Sequence, residues 1–165
     1  MATDYYLATD GPKIEGESQK QGHEKEIEVL SWAWGGNNDG SFAQGSGGGT
    51  GKFHSQDLSV TIPISKASSK LLQACTKGTH FDKMILSCRK SGGDTKPYDF
   101  LKITLEHCLV SSFNASGSQG VEQLIDAITL NFSKVTYEYV AQDASKGTVS
   151  STGSVSYDLA KAVAA

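Results

Sequence analysis

The stretch YDFLKITLEHCLVSSF, Tyr98 to Phe113, sets the fold class. Leu101, Ile103, Leu105, Leu109 and Phe113 recur at even spacing, with Lys102, Thr104 and Glu106 set between them. Side chains of a strand alternate between two faces, so a period of two marks a sheet strand with one apolar face. Ordinary strands run to about 5–6 residues. The length of this run therefore predicts one strongly curved strand, or two strands meeting near Glu106.

A glycine/serine turn from Asn114 to Gly120 follows. Beyond it Leu124, Ile128, Leu130 and Phe132 hold even positions, whereas Val135, Tyr137 and Tyr139 hold odd ones. A slip of one residue moves side chains to the opposite face, so a β-bulge or bend near Ser133 is predicted to return both halves to one core. SVSYDLA, near the C-terminus, reads as a last strand. Upstream, Met84, Leu86 and Cys88 alternate before a turn at Ser91 to Asp94. Leu58, Val60 and Ile62 alternate until Pro63, which lacks a ladder donor. Asp4 to Thr9 is a short aromatic strand. SKASSKLLQACTKG predicts the one helix, with Ser65 as cap, Ala67, Leu71, Ala74 and Cys75 as its apolar stripe, and Gly78 at its close. Strands that do not alternate regularly with helices predict a mainly antiparallel β structure, sandwich or barrel, in a single domain over residues 1–165.

EKEIEVLSWAWGG reads as a strand from Glu24 to Trp34. Glu28, Leu30, Trp32 and Trp34 share one side; Ile27, Val29, Ser31 and Ala33 share the other. Placing the large rings in the core leaves the small side chains of Ser31 and Ala33 on the opposite face. From Gly35 to Gly51 eight residues are glycine, and Phe42 is the one large apolar group. Loops beyond about 12–15 residues are uncommon in compact domains and usually functional or disordered. Residues 35–52 are thus expected as an extended loop with a purpose.

GSGGGTGKFH within it suggests a phosphate-binding loop, but the required first glycine is Ser46 and the residue after Lys52 is Phe53 in place of Ser or Thr. FHSQDLSVTI, which follows, alternates as a strand, so the helix N-terminus that would hold a phosphate is missing. We expect no cofactor. The formal net charge is −3, and fourteen lysines accompany a single arginine, Arg89, with no basic block, which argues against a nucleic-acid partner. No run approaches the roughly 20 apolar residues of a membrane span. MATDYYLATDGPKIEGES lacks the basic and apolar regions of a secretory signal, so synthesis and folding in the cytoplasm are expected. Cys75, Cys88 and Cys108 form no CxxC pair and read as small core hydrophobes.

No catalytic set emerges either. His107 and Cys108 are adjacent, and adjacent strand residues point to opposite sides. His54 and His80 stand beside Phe53 and Phe81 with no second histidine at ligand spacing. His23, Glu24, Glu26 and Glu28 form a run that suits an exposed strand face; a metal-dependent or carbohydrate-active β-barrel enzyme using them is the competing reading, and a monomeric binding domain is a third.

The residues also resemble a known family. GES at Gly16 to Ser18, HEKEIEVLSWAWG from His23 to Gly35, the glycine loop and GKFHSQDLSVT from Gly51 to Thr61 look like the haemolysin-coregulated protein (Hcp) family of bacterial type VI secretion. The likeness continues through KASSKLLQACTKGTHF, CRKSGG, LVSSFNASGSQG and LNFSKVTYEYVAQD, so it spans nearly the whole chain in order and thins after Gly147. It implies a small β-barrel of two antiparallel sheets with one flanking helix, and a structural rather than enzymatic role with no metal. It also implies a homohexameric ring that stacks into a tube inside a contractile sheath, carries a tip spike protein, holds effector proteins in its lumen, and is secreted without a cleaved signal peptide. On this chain the resemblance makes Ser31 and Ala33 lumen-facing, with Ala33 standing where many relatives have serine. It makes the segment from about Asn37 to Lys52 the ring-stacking loop, with Asn38, Phe42, Gly47, Gly48, Gly49 and Lys52 as its candidate contacts.

Overall fold

A computed structural model of the chain describes residues 2–40, 50–90, 96–142 and 149–164. Its elements are β1 (Thr3–Asp10), β2 (Ile27–Val29), β3 (Ser31–Ala33), β4 (Gly36–Gly40), β5 (Thr50–Ser55), β6 (Leu58–Pro63), α1 (Ser68–Lys77), β7 (His80–Lys90), β8 (Tyr98–Ser116), β9 (Ile125–Gln142), β10 (Val149–Asp158) and β11 (Val163–Ala164). The mainly β architecture with one helix is the one the periodicity predicts. The main sheet runs β11-β10-β9-β8-β7-β1-β2, with β6 beside β9 and β3 beside β6; β4 and β5 pair separately. Every ladder is antiparallel.

The run that opens the sequence reading is a single strand, β8. Its inward face changes along its length: Leu101, Ile103 and Leu105 are buried, and then Cys108 and Val110. The change falls at Glu106–His107, where His107 takes φ 50°. Leu109, expected in the core, is thereby carried to the other face and is half-buried. A second irregularity, between Val110 and Ser112, turns Phe113 back against the core.

Both neighbours of β8 break at the same level. In β7 Phe81 and Met84 are both buried with Asp82 and Lys83 between them; in β9 Phe132 and Val135 are both buried with Ser133 and Lys134 between them. Lys83, Glu106 and Lys134 stay in register, as do Phe81, Cys108 and Phe132, so no residue is inserted. The predicted irregularity near Ser133 is therefore a bend shared by three strands, not a bulge in one. Across it Lys134 Nζ lies 3.4 Å from Glu106 Oε2, and Ser133 Oγ donates to the Glu106 carbonyl at 3.2 Å. On one side of the bend β9 pairs with β6, from Pro63–Ile125 to Leu58–Leu130; on the other it pairs with β10, from Lys134–Asp158 to Gln142–Val149.

The sheets do not close into the barrel that the resemblance implies. The strand expected through Trp34 is divided at Leu30, and each half has one ladder partner, β2 with β1 and β3 with β6. The division also reverses the faces. Ile27 and Val29, expected outside, are core; Leu30, expected inside, is 44% exposed; Trp32 and Trp34 pack against the core as expected.

Helix α1 lies over one end of the core through Leu71 and Ala74, and Gly78 ends it at φ 62°, a left-handed position that glycine adopts without a Cβ clash. Ser65 lies ahead of the helix instead of capping it. Its backbone N–H donates to Ser68 Oγ at 3.0 Å, its own Oγ accepts from the Ala67 N–H at 3.2 Å, and the Ser68 hydroxyl donates to buried Asp126.

The segment between β1 and β2 is fastened over the sheet by His23, which is 5% exposed. Its Nδ1 lies 2.7 Å from Glu26 Oε2 and its Nε2 2.9 Å from Asp99 Oδ1, while its ring stacks on Tyr6 at 4.5 Å.

His107 holds a left-handed backbone in the middle of a strand, a region that histidine tolerates and a β-branched side chain does not. His107→Val, a conventional strand residue, is expected to lower the urea-unfolding free energy by about 1–2 kcal/mol, and His107→Gly to leave it within about 1 kcal/mol; equal effects contradict the role given to this bend. Burial, reinforced by Asp4 and Glu28, pushes the Tyr6 hydroxyl up to about 12, and burial pushes the Cys88 and Cys108 thiols up to about 12. The unfolded chain releases these protons at lower pH than the folded one, so their contribution is complete below about pH 9 and lost as pH rises toward about 12. Urea midpoints should fall steadily between about pH 9 and 11, with a smaller fall in the Cys88→Ala/Cys108→Ala variant; a flat profile contradicts this.

Candidate interaction surfaces

Where β3, β6, β9 and β8 lie side by side, the register builds two rows across four strands. One row is Ser31, Thr61, Ala127 and Asn114; the other is Ala33, Ser59, Thr129 and Ser112. Their opposite-face neighbours Val60, Ile128 and Leu130 are buried, so these rows face outward; Ser31, Ala33, Ser59, Ala127 and Asn114 are exposed. Every side chain in the rows is small and uncharged. Hydroxyls tie the face together: Thr129 Oγ1 lies 2.7 Å from Ser111 Oγ and 2.6 Å from Ser112 Oγ, while Asp57 accepts from Ser111 Oγ at 2.7 Å and from Asn131 Nδ2 at 2.9 Å. The surface has hydrogen-bonding capacity, no apolar grip and a single carboxylate. Sequence reading reached Ser31 and Ala33 but not the partners that the ladder brings beside them.

Past the bend the chemistry is reversed. Trp34, Phe53, Val135, Tyr137, Val155 and Tyr157 line an open apolar cavity of about 300 Å³. Tyr137 is 40% and Val155 63% exposed. Trp34 stacks near Tyr137 with ring centres 6.5 Å apart, Phe53 meets Tyr157 edge-on at 5.1 Å, and the Trp34 indole N–H donates to Ser55 Oγ at 3.1 Å. Tyr137 and Tyr139, expected in the core, stand at the surface because this half of β9 runs past the helix-covered core beside β10. The signal that would have located the groove was the tyrosine itself, a ring with a polar tip suited to a half-covered surface, together with alternating Val155 and Tyr157 on the last strand.

The interval expected as a plain loop contains a ribbon, β4 paired with β5, that carries Asn38 and Lys52 exposed to solvent. Gly36 sits where a Cβ would run into the Phe53 ring, so the ribbon can leave the groove wall only with glycine there. Lys52 belongs to a strand, as the rejection of a phosphate loop requires. Phe42, Gly47, Gly48 and Gly49 lie outside the described residues.

Of the competing metal-site residues His23 and Glu26 meet, while Glu24 and Glu28 lie apart from them. Glu26 takes His23, Glu24 accepts the Gly22 N–H at 3.0 Å, and Glu28 lines a separate cleft with Tyr5 and Tyr6. Among the described residues no group of three or more His, Cys, Asp or Glu side chains is placed to hold a metal ion. Among them, too, no helix is long and apolar enough to cross a membrane.

Comparison with known proteins agrees along the chain. Residues 6–139 match the family model described as "Type VI secretion system effector, Hcp". Protein hcp1 of Pseudomonas aeruginosa is 41% identical over 144 residues, covering 87% of each chain. A solved structure described as a type six secretion system protein superposes with a TM-score of 0.90 at 33% identity, over 99% of this chain and 100% of that one. The crystal structure of Hcp1 from Salmonella typhimurium gives 0.78 at 34% identity, over 98% and 97%. By that match along the chain, the protein belongs to the Hcp family and is a type VI secretion tube protein, a structural subunit.

Proposed function

We propose that this subunit forms homohexameric rings that stack into a hollow tube, with the Ser31/Ala33 face turned to the bore and the Trp34–Tyr157 groove covered at a contact between subunits. The observation that carries this reading is the coexistence of two chemically opposed surfaces on one small domain. Val155 and Tyr137 leave apolar area open that a subunit contact would remove from water, whereas the rows through Ser31 and Ala33 have nothing apolar to bury. A ring closes by one heterologous contact repeated around an axis, and stacking needs a second contact on the ring's flat faces. In this reading the β4–β5 ribbon, with Asn38 and Lys52, and the segment bearing Phe42, Gly47, Gly48 and Gly49 provide the second.

A wide bore lined by small, hydroxyl-rich side chains suits passage of folded effector proteins, because it wets them without holding them by apolar contact. The contractile sheath and the tip spike are the outer and end partners in this reading, and the role is mechanical rather than catalytic. The protein leaves the cell with the apparatus, without a cleaved signal peptide.

Size-exclusion chromatography with light scattering, followed by negative-stain imaging, tests the ring. Open-centred hexamers are expected for the native chain. Val155→Asp should shift the protein to a folded monomer with an unchanged far-ultraviolet circular dichroism spectrum; rings that persist in this variant contradict the assignment of the groove. Deleting Ser46 to Gly49 should leave single rings intact and abolish tubes and secretion, and normal tubes from the deletion variant would remove the loop from the stacking contact.

A further inference from the structure

On the helix side of the domain, away from both surfaces above, a cleft of about 270 Å³ opens between the start of the β1–β2 connection and α1. Lys13, Lys70 and Lys77 stand around it, Gln73 lies between the two helical lysines, and Ala74 and Phe81 line its floor. The three lysines and Gln73 are exposed, while Ala74 and Phe81 are 4% and 1% exposed. No carboxylate lines the cleft. Among the described residues none of the three lysines forms an ion pair, although Lys25, Lys66, Lys102 and Lys134 each lie within 4 Å of a carboxylate. Lys77 is not needed to cap the helix either, since the Gly78 and Thr79 N–H groups already bond back to the Cys75 and Ala74 carbonyls. In a chain of net charge −3, three unpaired ammonium groups gathered on one apolar-floored cleft make a local positive site.

We propose that this cleft docks an extended acidic segment of a partner protein. The spacing selects a segment over a compact anion. Lys70 and Lys77 are separated by about two helical turns, roughly 10 Å along the axis, too far for one carboxylate or phosphate to bridge. A segment in the extended polyproline II form has three residues per turn and rises about 3.1 Å per residue, so acidic residues three apart share one face and meet the two lysines while an apolar residue between them turns toward the Ala74–Phe81 floor. The Gln73 amide, midway, is placed to bond the segment's backbone. Lysine supplies point charges on flexible stems that carboxylates satisfy as well as phosphates do, and the apolar Ala74–Phe81 floor, with no basic block beside it, fits a polypeptide better than nucleic acid. This docking site goes beyond the tube reading and does not depend on it.

The test is fluorescence anisotropy with a labelled peptide EVLEVLE against the native chain, with QVLQVLQ and a single-stranded oligonucleotide as controls. Native protein should bind EVLEVLE and not QVLQVLQ, and Lys70→Glu/Lys77→Glu should weaken binding about tenfold at low salt, with the difference shrinking near 0.5 M salt. Carbodiimide coupling of the bound peptide should map to Lys13, Lys70 or Lys77. Equal binding by the double variant, equal binding of QVLQVLQ, tighter binding of the oligonucleotide, or coupling elsewhere overturns the proposal. Loss of rings in the double variant with no peptide present does so too, because the cleft would then be a contact between copies of this chain. Circular dichroism of the double variant should match the native chain, since both lysines are exposed and unpaired.

Discussion

Everything in this molecule hangs on one shared bend. At Asp82–Lys83, Glu106–His107 and Ser133–Lys134, three adjacent strands exchange inner and outer faces at the same level without losing register. A single strand changing face alone would strand its apolar side chains in water and pull its ladder apart; three changing together keep their cross-strand partners. Phe81, Cys108 and Phe132 therefore point inward on one side of the bend, and Met84, Leu105 and Val135 on the other, so one sheet encloses core from both directions.

The bend also decides what lies outside. β9 trades β6 for β10 across it, so each half of the strand has its own company. Beside β6 and β3 the outward positions are serine, threonine, alanine and asparagine; beside β10 the core-side face runs on past Val135 to leave Tyr137, Val155 and Tyr157 lining an open groove. A domain of this size thus offers a polar surface suited to water and an apolar one suited to a neighbour. For a structural subunit that separation matters more than any pocket, because assembly and transport make opposite demands on a surface and must not share one.

Much of this was legible in the sequence. Period-two runs located β6, β7 and β8, the aromatic stretch from Asp4 located β1, the apolar stripe and Gly78 located α1, and the even-to-odd change around Ser133 gave away the bend. The errors have a common cause. Leu109, Leu30, Ile27 and Val29 were assigned by carrying one alternation through a break, and a break is visible only from the strand next door: His107 leaves its face because Asp82 and Ser133 do, and Leu30 because the chain changes partner from β1 to β6 there. Tyr137 and Tyr139 read as core because periodicity reports a face and not what covers it. The β4–β5 ribbon was hidden by its glycines, which carry no side-chain pattern. Ser31 and Ala33 stood out by small size and by the family resemblance, whereas the rows they begin and the lysine cleft join residues far apart in sequence.

The central claim is that the bend separates an assembly surface from an open one. Differential labelling, read by mass spectrometry on assembled and dissociated protein carrying Ala33→Cys, tests it most directly. Hydroxyl radicals report on the aromatic groove and a maleimide on position 33. The account predicts that Trp34, Phe53, Tyr137 and Tyr157 become protected on assembly while the introduced thiol keeps its reactivity. Unchanged oxidation of the four aromatic residues together with loss of thiol labelling would contradict it.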